Sequence, residues 1–336
     1  MNNFEIFLEL IENNLTTHEN HPFNSHPQYY KELIELLKSF PCDELFSSAR
    51  KRNSFLSKLQ LGKKISYNPK TYCQGTSEIM MYLNALQKGL NFTPEKKLKQ
   101  GGTDVDIQIQ TDIATYNIEI KSPEFNSHSQ SSGIVIENLF RTTELNWTKG
   151  LEKIENITLK KNDDNKICEY LKSAQTKFCT QSSNICNILF VALPIKEIER
   201  YFGYITNGYS GLFAPDAPCR ILPADSFNKT DVIILSSIVD GHTFLYNIDS
   251  SWKLDEYFSL MLLNPFKTIG SEVKKELLDL VPNSTIEFDE YYSAFERQCE
   301  IESKKHNDPY LVRDLMPLVF PHFFSKYFSK FWNASI

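Results

Sequence analysis

The chain has 336 residues, of which 41% are hydrophobic and 23% charged, and its formal net charge is −6 at pH 7. This composition predicts a globular protein with a full hydrophobic core, organised as two domains or as one domain with sizeable additions. No stretch approaches the roughly 20 apolar residues of a membrane span, and the N-terminal residues lack the basic region of a signal peptide, so we expect a cytoplasmic protein without a membrane partner.

The seven cysteines include no Cys-x-x-Cys pair and are odd in number. They argue against a disulfide framework or a structural zinc site, and we expect reduced thiols. Three of the histidines, His18, His21 and His26, share a polar stretch that we interpret as a surface loop.

Residues 1–70 are predicted to form a helical N-terminal region. Apolar residues recur at helical spacing over residues 3–15, 28–40 and 43–61, and Gly62 ends the last of these helices.

Basic residues concentrate in the segment 50–99, which contains eleven of them and two acidic residues. This segment carries +9, so the rest of the chain carries −15. A local basic patch can hold phosphates although the whole molecule is acidic, and we assign Arg50, Lys51 and Arg52 to nucleic-acid contact. The alternative is that these basic residues lie on solvated helix faces and bind no nucleic acid.

A fourth helix is predicted over residues 76–90, with Thr76 or Ser77 as its N-cap and Gly89 near its end. Glu78 then lies in the first turn. There it is either a site residue or an acid placed favourably on the helix dipole.

Hydrophobic and polar residues alternate over residues 104–110 and again over residues 116–121, the period-2 pattern of two half-buried strands. The short polar break between them predicts a hairpin. A turn centred between Asp112 and Ile113 makes the numbers of paired residues sum to 225.

In that register Asp106 lies opposite Glu119 and Asp104 lies opposite Lys121, all on one face. Facing carboxylates repel unless a cation lies between them, and hard oxygen ligands suit Mg²⁺. A bound metal polarises a phosphate and activates water, while a nearby lysine stabilises developing charge. A solvated face with cross-strand salt bridges is the alternative.

These residues resemble the motif of the PD-(D/E)xK nuclease superfamily, with Glu119 and Lys121 as its (D/E)xK element and Asp104 or Asp106 as its upstream aspartate. Neither aspartate follows the family's proline, which leaves open which one is the ligand; the pairing favours Asp106. The resemblance implies an α/β, restriction-endonuclease-like αβββαβ core with a mixed central sheet. It also implies a site that binds Mg²⁺, with Mn²⁺ as a substitute, and Glu78 as an added carboxylate.

The predicted order of elements agrees with that core. Residues 92–99 form its first strand, residues 166–181 its second helix and residues 185–193 a buried strand. In the second helix, Gln175 and Lys177 lie where such nucleases often place an accessory polar residue, and we assign Lys177 to nucleic-acid contact. A solvent-facing helix side is the alternative.

We divide the chain into the helical region 1–70, a nuclease core over 71–250 with an insertion at 122–164, and a helical region 251–336. The insertion contains His128, Arg141 and Trp147 and is expected to touch substrate. Residues 195–204 predict a helix, and residues 232–238 and 243–248 predict strands. An aromatic stripe over 323–332 is interpreted as a terminal helix docked on the core, with a homodimer contact as the alternative.

The sequence therefore predicts a metal-dependent endonuclease acting on DNA, and by analogy a restriction or phage-defence nuclease. Asp106, Glu119 and Asp104 are the expected metal ligands and Lys121 assists the attacking water. One rival is a structure-specific repair or RNA nuclease. The other is a nucleic-acid-binding module that keeps the fold without catalysis.

Overall fold

The structure is a computed structural model. It describes residues 2–15, 19, 21–62, 67–99, 103–123, 134–137, 157–160, 163–179, 184–206, 211–215, 220, 222–243, 250–281, 284–285 and 304–305. The predicted helix over the 323–332 stripe and the insertion residues His128, Arg141 and Trp147 lie outside these ranges.

The N-terminal region is helical, as predicted. It comprises α1 (Asn3–Leu15), α2 (Pro22–Ser25), α3 (Pro27–Ser39), a 3₁₀ turn and α4 (Ala49–Lys58). Phe7 holds the region together, because its ring stacks on Phe46 at 4.0 Å and meets the edge of Phe55 at 5.2 Å between ring centroids.

His21 does not lie in a surface loop. It is fully buried, its Nε2 is 2.7 Å from the Leu59 carbonyl oxygen, and its Nδ1 accepts the Phe23 N–H as the N-cap of α2. The polar residues around His21 suggested a loop, but His21 caps a helix, so the surface interpretation was wrong for this histidine.

The helix α5 (Pro69–Gln87) begins earlier than predicted. Asn68 is its N-cap, accepting the Thr71 N–H, and a proline occupies the first turn. The predicted cap Ser77 instead donates its hydroxyl to the Cys73 carbonyl within the helix. Glu78 is therefore in the middle of α5, and a favourable place on the helix dipole does not account for it.

A mixed sheet forms the centre of an α/β fold. Its strands are β1 (Asn91–Lys97), β2 (Asp104–Gln110), β3 (Thr115–Lys121), β6 (Ile185–Ala192), β7 (Val232–Ser236), β8 (Ser259–Leu263) and β9 (Ser284–Thr285), in that spatial order. The first three strands are antiparallel, and β3 runs parallel to β6. In the insertion, β4 (Ile134–Glu137) and β5 (Ile157–Lys160) pair in parallel as a separate sheet.

Helices cover both faces of the central sheet. On one face Ile107, Ile118 and Phe190 share a core with Ile79 of α5 and the N-terminal helices. The other face packs against the helices α6 (Asp163–Lys177) and α7 (Ile195–Thr206). The end of β3 is thus enclosed between α5 and α6.

The region after residue 240 departs from the prediction. Thr243 ends the short helix α8 (Asp240–Thr243) instead of starting a strand, and residues 244–248 lie outside the described ranges. The chain beyond Lys253 is not wholly helical, because β8 pairs with β7 before α9 (Ser271–Leu280) begins. A short apolar run does not distinguish strand from helix by periodicity alone.

The five cysteines of the described part of the chain are free thiols, and Cys179 alone among these five is not buried. Among the helices in the described ranges, none is both long enough and apolar enough to cross a bilayer.

Candidate catalytic site

The hairpin of β2 and β3 has the predicted register. Its backbone partners include Gln110 with Thr115 and Ile107 with Ile118, whose numbers sum to 225. Thr111 fixes the turn, because its hydroxyl accepts the Ala114 N–H at 3.0 Å. Continued by one residue, this register brings Asp106 opposite Glu119.

The regular backbone pairing of β2 with β3 ends at Ile107 and Ile118. Beyond it, the Asp106 side chain accepts a hydrogen bond from the backbone of β3. Asp106 Oδ2 accepts the Ile120 N–H at 2.6 Å, while the Asp106 carbonyl accepts the Tyr82 hydroxyl at 3.2 Å. The carboxylate is thereby held where β2 and β3 separate.

Glu119 is fully buried and lies between two lysines. Its Oε1 is 2.6 Å from the ammonium nitrogens of both Lys121 and Lys177, and Lys177 also donates to Oε2 at 2.7 Å. Lys177 is the last residue of α6, so that helix contributes directly to the cluster. The sequence assigned Lys177 to nucleic-acid contact, and the structure places it on a buried carboxylate.

Glu78 reaches the same cluster from α5. Its Oε2 accepts Lys58 Nζ at 2.6 Å, and its Oε1 accepts Gln74 Nε2 at 3.0 Å. The Gln74 amide also donates to the Ile120 carbonyl at 2.8 Å and accepts the Ser122 N–H at 2.7 Å. Gln74 therefore ties α5 to the end of β3 and fixes Glu78 relative to it.

The electrostatics of the cluster show that its carboxylates interact. The pKa of Asp106 is raised well above its ordinary value, first by burial and then by the negative charges of Glu78 and Glu119. Burial lowers the pKa of Lys121, but Glu119 and the other two carboxylates outweigh it and the net pKa is raised. The three carboxylates therefore favour the charged form of Lys121, whereas burial and the two neighbouring carboxylates outweigh the effect of Lys177 on the pKa of Asp106.

Asp104 does not join this cluster. It is half-buried at the start of β2, where its backbone partner is Lys97 of β1. Among the described residues no ion pair joins Asp104 to Lys121. Lys121 contacts Glu119 on its own strand instead.

The three basic residues assigned to nucleic-acid contact lie on α4, and they differ in exposure and in the groups that they contact. Arg50 and Lys51 are exposed, and Lys51 is paired with Glu44 at 2.6 Å. Arg52 is half-buried and donates to the Phe46 carbonyl at 2.5 Å, which gives it a structural role. Arg50 is thus the member of the three most available to a ligand.

Three further residues of the site were not predicted: Lys58, Gln74 and Glu95. Lys58 Nζ lies 2.9 Å from Glu95 Oε1 as well as contacting Glu78. Burial raises the pKa of Glu95, but Ser54, Lys58 and Arg50 outweigh it and the net pKa is lowered. The helical spacing of Gln74 from Glu78 was visible in the sequence, whereas the contacts of Lys58 depend on how α4 packs on α5.

Asp106 and Glu119 offer carboxylate oxygens, the type of donor that Mg²⁺ prefers. In the described ranges no three His, Cys, Asp or Glu side chains are arranged as a ligand set for a metal ion. Glu119 is already paired with the ammonium groups of Lys121 and Lys177, both 2.6 Å from its Oε1, so a cation would bind it only by displacing a lysine. A cation beside Asp106 would stabilise its ionised form, because burial first and then the charges of Glu78 and Glu119 raise the Asp106 pKa.

Comparison of the chain with models of known protein families, with curated proteins and with solved structures finds no match.

Proposed function

We propose that the protein is a metal-dependent nuclease that hydrolyses phosphodiester bonds in DNA. The observation that carries the proposal is the convergence of Asp106, Glu119 and Lys121 where β2 and β3 separate, with Glu78 beside them. Burying several like charges together costs free energy, and such clusters are found mainly where the charges are used in function. Hydrolysis of a phosphodiester is a use that needs both carboxylates and a lysine.

The chain order of elements supports the same proposal. Helix α5, strands β1 to β3, helix α6 and strand β6 follow the αβββαβ order of the PD-(D/E)xK superfamily. The antiparallel pairs β1–β2 and β2–β3 and the parallel pair β3–β6 are consistent with its mixed sheet. Because one fold serves many functions, the order supports the fold assignment, and the charged cluster supports the activity.

Each residue then has a defined role. Asp106 and Glu119 would hold Mg²⁺, or Mn²⁺ as a substitute, and the ion when bound supplies polarisation of the phosphate and acidification of water. Lys121 is 23% exposed and ends β3, so it can reach a substrate and stabilise charge that develops on the phosphate. Lys177 orients Glu119 from the end of α6.

DNA binding is assigned to the exposed side of α4. Arg50 and Lys51 lie there, and α4 ends at Lys58, which contacts Glu78 of the cluster. A phosphate backbone on α4 would therefore lie close to the catalytic residues. The +9 charge of residues 50–99 makes this binding strongly dependent on salt.

A nucleic-acid-binding module without catalysis is the second candidate. The observation in its favour is that Glu119 already has two ammonium partners and is compensated without a metal. A module of this kind would bind DNA but leave it intact at any metal concentration.

The two candidates are separated by incubating the purified protein with plasmid DNA, branched DNA and RNA in Mg²⁺, with a matched reaction in EDTA. The nuclease proposal predicts cleavage of DNA in Mg²⁺ and none in EDTA. Cleavage of branched DNA or RNA alone would identify the repair or RNA nuclease. Binding without cleavage of any of the three would favour the module.

A further inference from the structure

Two lysines outside the catalytic cluster meet at the C-terminal end of α6. Lys99 Nζ donates to the Thr176 carbonyl at 2.7 Å, and Lys229 Nζ donates to the Gln175 carbonyl at 3.4 Å. These carbonyls belong to consecutive residues in the last turn of the helix. The two ammonium groups, one from the segment after β1 and one from the segment before β7, are therefore neighbours.

This pair of lysines has no acidic partner within the described residues. The three lysines of the catalytic cluster each contact a carboxylate. The ammonium groups of Lys99 and Lys229, by contrast, are hydrogen-bonded to backbone carbonyls. Burial lowers the pKa of Lys99, and the neighbouring ammonium of Lys229 lowers it further. Positive charge is therefore concentrated here without a carboxylate to compensate it.

The end of a helix by itself favours one ammonium group. The last carbonyls of α6 carry partial negative charge, so a lysine beside them is stabilised. A second ammonium next to the first is repelled by it. An anion that lies between Lys99 and Lys229 would relieve this repulsion and bind to both.

The backbone that carries the two lysines is fixed to the same helix. Gln175 Oε1 accepts the Lys229 N–H at 2.9 Å, and the buried Asn187 donates to the Lys229 carbonyl at 2.8 Å. The Cys179 thiol, just after α6, donates at 3.2 Å to the backbone carbonyl that precedes Lys99. Both lysine side chains remain half-buried, so solvent reaches them. The pair is thus positioned before an anion arrives, which lowers the entropic cost of binding.

The pair lies beside the catalytic cluster along α6. Thr176, whose carbonyl holds Lys99, directly precedes Lys177, and the Lys177 ammonium lies on Glu119. The helix α4, with Arg50, packs on the α5 side of the cluster, whereas this pair lies on its α6 side. The repeated phosphates of a nucleic-acid backbone can contact both places at once, which a single small anion cannot do.

We propose that Lys99 and Lys229 form a second phosphate-binding site, which holds the nucleic-acid backbone on the α6 side of the catalytic cluster while α4 holds it on the other side. The site binds a phosphodiester group through charge and does not read base sequence. This role rests on the nucleic-acid substrate proposed above and names the residues of a further contact with it.

The test is the binding of a short fluorescein-labelled DNA duplex, measured by fluorescence anisotropy over a series of salt concentrations. EDTA is present, so that binding is separated from metal-dependent cleavage. The double variant with Lys99→Gln and Lys229→Gln is expected to bind more weakly and to have a slope of log K against log salt reduced by about one, because one phosphate contact is lost. Lys172→Gln, which removes an exposed lysine of the same helix, is the matched control and should keep the slope of the parent.

A second double variant guards against a change of fold. Lys99→Arg combined with Lys229→Arg keeps both positive charges, so it should bind the duplex with the slope of the parent. Thermal denaturation of both double variants checks that they remain folded. Loss of duplex binding in the arginine variant as well as in the glutamine variant would attribute the effect to structure and not to charge.

Calorimetric titration with inorganic pyrophosphate distinguishes a nucleic-acid contact from a site for a small phosphorylated ligand. Pyrophosphate binding that is lost in the glutamine variant, while its duplex slope equals that of the control, would assign the site to a free phosphate compound. An unchanged slope without pyrophosphate binding would leave the two lysines as caps of α6.

Failure of this site and failure of the nuclease function have different signatures. A parent that cleaves plasmid DNA in Mg²⁺, with an unchanged slope in the glutamine variant, contradicts the phosphate site alone. A reduced slope in that variant, with no cleavage by the parent in Mg²⁺, supports the phosphate site and contradicts the nuclease.

Discussion

Lys177 and Glu119 join the end of α6 to the middle of the central sheet. The Lys177 ammonium lies within 2.7 Å of both carboxylate oxygens of Glu119, which is fully buried on β3. Lys121 contacts the same carboxylate from its own strand at 2.6 Å. Two lysines therefore contact one glutamate. Their side chains differ in solvent exposure, and we assign them different roles on that basis.

We predict that Lys121→Met and Lys177→Met affect different properties. Lys121 is the more exposed at 23%, against 14% for Lys177, so it is the one able to contact substrate. Lys121→Met should retain DNA binding but lose roughly two or more orders of magnitude in the cleavage rate. Lys177→Met should mainly lower the free energy of unfolding, by about 1–3 kcal/mol, because Glu119 loses one charged hydrogen-bond donor while Lys121 still compensates its charge.

Single-turnover cleavage and chemical denaturation of both variants provide the measurement. Each substitution removes one of the two ammonium partners of Glu119, so the variants serve as controls for each other. Full activity in Lys121→Met, or inactivity of a stable Lys177→Met, would reverse the two assignments.

Asp106 should make the stability of the metal-free protein fall as pH rises. Its pKa is raised in the folded state, so the folded state binds the proton more tightly than the unfolded state does. The stabilising proton is present below the unfolded pKa, about 3.9, and is lost as pH rises through the higher folded pKa. Asp106→Asn lacks this titration and can still accept the Ile120 N–H.

The free energy of unfolding of Asp106→Asn, relative to the parent, should therefore increase in EDTA as the pH rises above the unfolded pKa of aspartate, about 3.9. Mg²⁺ should narrow the difference by stabilising ionised Asp106 in the parent alone. Denaturation curves at several pH values measure this directly. A difference that stays constant as the pH rises would mean that Asp106 is not destabilised by its neighbours.

Arg50 and Lys51 should contribute to DNA affinity through counterion release. Arg50→Glu is expected to weaken binding and to reduce the slope of log K against log salt by about one for each phosphate that the protein no longer neutralises. Lys51→Glu should have a smaller effect, because Lys51 already pairs with Glu44. Lys31→Glu, on the exposed side of α3, is the control. An Arg50→Glu slope equal to that of the control would place α4 away from the DNA.

Two glycine substitutions test the contact between α4 and α5. Gly75→Ala should destabilise the protein by several kcal/mol, because its Cβ would lie 2.0 Å from the backbone oxygen of Lys58. Gly203→Ala, in α7 with no atom within 4 Å of the added Cβ, should stabilise it by about 0.5–1 kcal/mol. Thermal denaturation of the two variants gives the comparison. Equal stability would show that α4 can move away from α5 freely.

The hairpin was predictable from sequence because its information is local. The alternation of apolar residues specifies which side chains share a face, and the short polar break at Thr111 and Asp112 sets the register. Asp106 and Glu119 were therefore placed together correctly. The start of α5 was also encoded locally, in Asn68 and Pro69, but the capping signal was assigned to Thr76 or Ser77 instead.

The partners of the cluster were not predictable in the same way. Lys58 reaches Glu78 only because Gly75 lets two helices touch, and Lys177 reaches Glu119 only because α6 packs across the sheet. Such contacts arise from tertiary packing, which neither periodicity nor residue spacing encodes.

The central claim is tested most directly by the single-turnover cleavage of plasmid DNA by Asp106→Asn, beside the parent protein in Mg²⁺. Asparagine preserves the size of the side chain and an oxygen that can accept the Ile120 N–H, but it replaces the other carboxylate oxygen with an uncharged NH₂ group that cannot bind a cation. We predict that the folded variant binds plasmid DNA like the parent and cleaves it at least about a hundredfold more slowly. Cleavage by Asp106→Asn at the rate of the parent would contradict the assignment of this cluster as a nuclease site.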